Sequence, residues 1–201
     1  MTYTITKIKR GIANGTEIPQ SVIDGADNAV GKWAERELIQ NNWPLVEGAG
    51  VDIPILGVEV KTRTVGTNAR LTVGTMTVAA IGSTAWWFTN ICEKLQNMYV
   101  IYYDRKLSRV TGNYMVNLEG SALQDKFRKA YEKGAKIISH QEASGIHAPV
   151  TCGDYGYFEP RYVGGVFNGS YAFRIPVKGW QMVENEALSR KSYENIFEEI
   201  D

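Results

Sequence analysis

Three residues have the types and spacing for phosphate chemistry: Asp52, Glu59 and Lys61, within Val51-Asp52-Ile53-Pro54-Ile55-Leu56-Gly57-Val58-Glu59-Val60-Lys61. A strand sends alternate side chains to opposite faces, so Val58 and Val60 turn to a core while Glu59 and Lys61 share the other face. A turn near Pro54–Gly57 lets Asp52, on a preceding short strand, lie beside Glu59. Paired carboxylates attract a hard divalent cation, and Mg2+ prefers a few carboxylates with waters and a phosphate oxygen. Such an ion polarises a phosphoryl group and lowers the pKa of bound water. An ammonium one strand period on can orient that water or stabilise charge developing on phosphorus. The competing reading is plain: Glu-x-Lys also occurs on the solvated face of ordinary strands.

The elements that must hold these groups follow from periodicity. Residues 27–42 read as a helix, with Asp27 or Asn28 to cap it, Val30, Trp33, Ala34 and Leu38 at helical spacing, and Trp43-Pro44 to end it. After Gly48-Ala49-Gly50, residues 51–65 read as two short strands and 71–80 as another. A helix at about 86–97 feeds the apolar strand 98–103, which pairs across the Asp104–Arg109 turn with 110–118. A second amphipathic helix spans about 121–134 and ends at Gly134. Strand-like patches follow at 155–163 and 170–177, then an acidic helix candidate from Glu184 to Asp201. Interleaved strands and helices predict an α/β fold, a mixed central sheet flanked by helices. Nothing divides the chain, so residues 1–201 read as a single domain, with a lobe at about 140–180.

Composition narrows the function classes. The 201 residues carry 22 basic and 22 acidic side chains, but unevenly. Residues 1–60 are net −3, residues 61–181 net +7 and residues 182–201 net −4. A basic middle between acidic ends suits a groove for a polyanion, because Lys and Arg displace counterions from phosphates; the alternative is a solvated surface with no partner. No apolar run reaches the length of a membrane span, and Met1–Lys7 has no signal-peptide core. Cys92 and Cys152 form no disulfide framework, so the expectation is a reducing cytoplasm. His140 and His147 are too few for zinc, and Trp86-Trp87-Phe88 is expected in a core. Asn168-Gly169-Ser170 fits a glycosylation acceptor, without a secretion signal to make use of it.

Several segments together resemble the PD-(D/E)xK nucleases, and within them MutH and MutH-like type II restriction endonucleases. Val30-Gly31-Lys32-Trp33-Ala34-Glu35 is similar to the V-G-x-x-x-E of that family's first active-site helix. Asp52 followed by Leu56-Gly57-Val58-Glu59-Val60-Lys61-Thr62 is similar to its D…LG-hydrophobic-E-hydrophobic-K-T segment, with Val51 where the pattern's proline stands. Lys94-Leu95, before an apolar strand, resembles its downstream Lys-Leu. Tyr157-Phe158-Glu159-Pro160-Arg161 and Tyr171-Ala172-Phe173-Arg174 echo its DNA-reading segments.

The resemblance implies a restriction-endonuclease-like core and a Mg2+-dependent, sequence-specific DNA endonuclease of restriction type. Its catalytic residues would be Glu35, Asp52, Glu59, Lys61 and Lys94. One or two Mg2+ ions, with Mn2+ as a substitute, would be held by Asp52, Glu59 and Val60. The partner would be double-stranded DNA and the enzyme a monomer or homodimer. Thr62, Arg63 and Arg70, flanking the motif, would contact phosphates, with simple solvation as the alternative. Arg161 and Arg174 would read guanine through the fork of the guanidinium, the alternative being that they pair with acids such as Glu159, and Tyr171 and Lys178 would complete the DNA-facing set. The alternatives are a mismatch-repair strand nickase, a non-cleaving DNA-binding module of the same fold, and a structural protein with no nucleic-acid partner.

Overall fold

The computed structural model describes residues 11–189 except 27, 42, 44, 46–50, 55, 56 and 67–69, and only the backbone of 187–189. In chain order the helices are α1 (Gln20–Ile23), α2 (Ala29–Gln40), α3 (Val78–Ser83), α4 (Asn90–Gln96), α5 (Ala122–Ala143) and α6 (Val177–Ser189). The strands are β1 (Glu59–Thr64), β2 (Leu71–Thr77), β3 (Asn97–Asp104), β4 (Arg109–Asn117), β5 (Val150–Thr151), β6 (Tyr157–Val163) and β7 (Val166–Ile175). The protein is a mixed α/β fold, as expected, but its strands divide between two sheets and its chain between two compact units.

The first unit takes residues 1–67, 97–117 and 187–201. Its sheet has the order β1-β3-β4, with β1 parallel to β3 from Glu59 opposite Met98 to Thr64 opposite Tyr103, and β4 antiparallel to β3. The apolar stripe of α2 (Val30, Trp33, Ala34 and Leu38) forms one core with Val58, Val60, Tyr99, Ile101, Tyr103 and Val110. Trp43 closes it against Tyr99, with ring centroids 4.9 Å apart. Of the expected caps for α2, Asn28 makes no side-chain capping bond, and Asp27 lies outside the described residues, as do Pro44 and Gly48-Ala49-Gly50.

The second unit takes residues 68–96 and 118–186. Its antiparallel sheet has the order β2-β7-β6-β5, and on it Tyr131 of α5 meets Phe158 and Phe173 at 5.6 and 6.3 Å between ring centroids. Four sequence expectations change here. α5 does not stop at Gly134 but runs to Ala143. That glycine is a packing residue: a Cβ there would lie 2.5 Å from the Phe158 ring and 2.7 Å from Cys152 Sγ. Val78-Ala79-Ala80 is helical rather than extended, because Thr77 Oγ1 accepts the Ala80 N–H at 3.2 Å and starts a new helix. The helix expected from Trp86 is a 3-10 turn over Trp86–Phe88 followed by α4, the break falling at Thr89, whose hydroxyl accepts the Cys92 N–H at 3.0 Å. The acidic helix begins earlier than Glu184, at Val177, and residues 190–201 lie outside the described set.

Candidate active site

The site in the first unit is built by a tight reversal. Ile53 and Val58 exchange backbone hydrogen bonds at 2.9 and 3.2 Å. The turn between them needs Gly57 at φ +62°, a left-handed conformation that glycine adopts without strain. Continuing that antiparallel register by one residue sets Asp52 at the level of Glu59. The Asp52 carboxylate is then fixed by the backbone, because Oδ2 accepts the Val60 N–H at 2.7 Å. Asp52 therefore stands at the start of β1, an edge strand of its sheet. In a strand a residue's N–H and C=O leave the same side of the backbone. The Val60 carbonyl accordingly turns toward the side of the strand that Asp52 occupies.

Glu59 is 1% exposed, so the solvated-face reading does not hold for it. Its Oε1 accepts from Lys61 Nζ at 2.5 Å, and the Lys61 side chain is 19% exposed. The two share one face of β1, as alternation requires, while Val58 and Val60 enter the core on the other. Arg63, 9% exposed, continues the Glu59–Lys61 row by one more strand period. Nothing in folding calls for a buried carboxylate beside an ammonium. Taking such groups from water is costly, and an apolar pair of similar volume is often as stable or more so.

α2 crosses β1 on the Val60–Thr62 side, where a Cβ on Gly31 would sit 3.7 Å from Thr62 Oγ1. Glu35 lies one helical turn beyond Gly31 and is half-buried. Asp52, Glu59, Val60 and Lys61 are thus neighbours at the start of β1, whereas Glu35 and Thr62 belong to the α2 contact on the Val60 face, opposite the Glu59–Lys61 row. Two carboxylates and a main-chain carbonyl are an all-oxygen donor set, the composition a hard cation such as Mg2+ takes. Among the described residues there is no group of three or more His, Cys, Asp or Glu suited to a metal. Any ion here would therefore rely on this smaller set and on water.

The remaining candidates belong to the second unit. Lys94 stands in the last turn of α4, its stem against Gly74 of β2. Arg70 lies over the Tyr157 ring, 4.9 Å from its centroid, and donates to Tyr157 Oη at 3.0 Å. Arg161 is exposed on β6. Arg174 is ion-paired with Glu159 on the neighbouring strand. Lys178 donates to Asp154 at 2.7 Å, which raises its pKa. Tyr171 is corrected: at 1% exposure its ring is core, packed near Phe158 and Phe167, and it does not face a nucleic acid.

Of the aromatic trio, only Trp86 is core, while Trp87 and Phe88 are exposed. Burial pushes the thiols of Cys92 and Cys152 up to about 11, so neither is an activated nucleophile. The His147 ring stacks on Phe167 at 3.9 Å between centroids, and His140 is exposed on α5. Sequence reasoning did not find the Asp52–Val60 hydrogen bond or the burial of Glu59. Alternation assigns a face to a residue, not the depth of cover over it. No family model and no curated protein matches this chain.

Proposed function

We propose that the protein is a Mg2+-dependent, sequence-specific endonuclease of the PD-(D/E)xK type, hydrolysing phosphodiester bonds of double-stranded DNA. The observation that carries this reading is the 1% exposed Glu59 carboxylate bonded to Lys61, beside an Asp52 carboxylate pinned to the Val60 N–H. Buried ionisable groups held in one small cluster are the pattern of functional sites. The same motif carries the resemblance to MutH-like nucleases, whose restriction-endonuclease-like core this reading adopts for the first unit.

Asp52, Glu59 and the Val60 carbonyl would hold the cation, which when bound supplies polarisation of the phosphoryl group and a more acidic water. The rest falls to the chain. Asp52 keeps its orientation through the backbone bond to Val60, so the site is preorganised rather than assembled on binding. The Lys61 ammonium, already held beside Glu59, offers a donor and a positive charge to the phosphate as negative charge grows on it. Glu35, from α2 of the same unit, enters as a supporting group. Arg161 is the exposed guanidinium with which the second unit would read a base edge.

The test is incubation of plasmid DNA with the protein and Mg2+, followed by sequencing of the ends. Ends at one recurrent sequence support the restriction-type reading. Nicks without linear product favour the strand nickase, and binding without any break favours the non-cleaving module.

A further inference from the structure

One face of α5 carries Lys126, Lys129, Lys133, Lys136 and His140, all exposed. Their spacing of three and four residues keeps them on an arc of about 80° at 3.6 residues per turn. The fourteen steps from Lys126 to His140 rise about 21 Å. The helix's acids fall outside that arc. Arg128 takes two of them, Asp125 at 3.2 Å and Glu132 at 3.0 Å, and Glu142 lies near His147 at 3.7 Å. Among the described residues Lys129, Lys133 and Lys136 meet no carboxylate. Lys126 rests over the Tyr155 ring at 5.3 Å, a contact that leaves its charge in place. Asp125 and Glu132 border the row but are engaged by Arg128, so among the described residues the exposed lysines of the row itself carry no ion pair.

We propose that this row is a docking surface for the phosphate backbone of duplex DNA. The identity of the polyanion rests on the nuclease reading; the surface itself does not. Charge and length argue for the occupant. A single DNA strand places a phosphate every 3.4 Å of axis, so about six phosphates run alongside a 21 Å row. A lipid surface suits it less. Helices that lie on membranes present an apolar face beside the basic one, whereas the apolar face of α5 (Leu123, Phe127, Tyr131 and Ile138) is buried within its own unit. The sequence hid this row, because a helix ending at Gly134 would leave out Lys136 and His140.

The experiment uses the full chain in EDTA and a short random-sequence duplex, with binding followed by fluorescence anisotropy across a salt series. The variants are Lys129→Gln/Lys133→Gln/Lys136→Gln and the matching Lys→Arg triple. Glutamine and arginine are as helix-compatible as lysine, and circular dichroism verifies the fold. Each lost phosphate contact lowers the slope of log K against log salt by about 0.9, so the glutamine triple should lose about 2.7. That equals about 40-fold less sensitivity between about 50 and 200 mM salt, and the arginine triple should keep the parent slope. An unchanged slope in the glutamine triple overturns the proposal. So does a parent that binds phosphatidylserine vesicles but not the duplex. Cleavage by the parent in Mg2+ is scored separately. Cleavage with an unchanged slope removes only the α5 surface; a lost slope without cleavage removes only the nuclease reading.

Discussion

Replacing Lys61 by methionine should destabilise the protein, and removing Glu59's charge as well should restore much of the loss. Methionine keeps the length of the side chain but leaves the Glu59 carboxylate, 1% exposed, without the ammonium now 2.5 Å from Oε1. Removing one partner of a fully buried pair costs about 3–5 kcal/mol. The Lys61 side chain is 19% exposed, so water screens part of the interaction and about 2–3 kcal/mol is the expectation here. For a chain of this size each kcal/mol moves the melting temperature by about 2–4 °C, giving a fall of about 4–12 °C. Glu59→Gln/Lys61→Met removes both charges, and a double-mutant cycle should return a coupling of about 1–3 kcal/mol. The assay is urea denaturation of the parent, both single variants and the double. A Lys61→Met cost within about 0.5 kcal/mol, with additive single effects, would refute a pair held away from solvent.

Two further outcomes follow from the packing and from the thiols. Gly134→Ala places a methyl 2.5 Å from the Phe158 ring, which should cost about 1–3 kcal/mol of stability despite alanine's better helix propensity; an equal or raised melting temperature would show that α5 and β6 can part without loss. Burial raises Cys92 and Cys152 to about 11 in the folded protein, above the ~8.5 of an unfolded thiol. The unfolded chain therefore releases these protons first, and stability should be intact below about pH 8.5 and decline as pH rises toward about 11. Thermal melts across that range check the sign, and stability rising with pH would contradict it.

The core and the Glu59–Lys61 strand were legible in the sequence because they rest on local rules. Val30, Trp33, Ala34 and Leu38 announce α2 by their spacing, and all four are buried. Val58 and Val60 against Glu59 and Lys61 follow the strand alternation, and Gly57 marks the turn that returns Asp52 to β1. What failed rests on contacts distant in sequence. Gly134 reads as a helix stop until Phe158 and Cys152 are seen pressing on its Cα. Tyr171 looks like a surface reader because it neighbours Arg174, yet β7 lies between β2 and β6 and turns that ring into the core. The pairing of Arg174 with Glu159, the alternative the sequence offered to base reading, is made through the pairing of β6 with β7. Two sheets rather than one could not be inferred from strand order alone, since β2 and β3 follow one another in chain but belong to different units.

In the proposed function Asp52, Glu59 and Lys61 act on a phosphodiester with a divalent cation. The most direct measurement is plasmid cleavage at saturating protein with Mg2+, comparing the parent with Asp52→Asn, Glu59→Gln and Lys61→Ala, each verified as folded and each tested for DNA binding. Asparagine can still accept the Val60 N–H, so the first change removes charge while leaving the backbone contact available. Cleavage by the parent should stop on addition of EDTA, and every variant should lose at least about a hundredfold with binding retained. Cleavage by any of the three within about tenfold of the parent, a barrier change of only about 1.4 kcal/mol, would contradict that function.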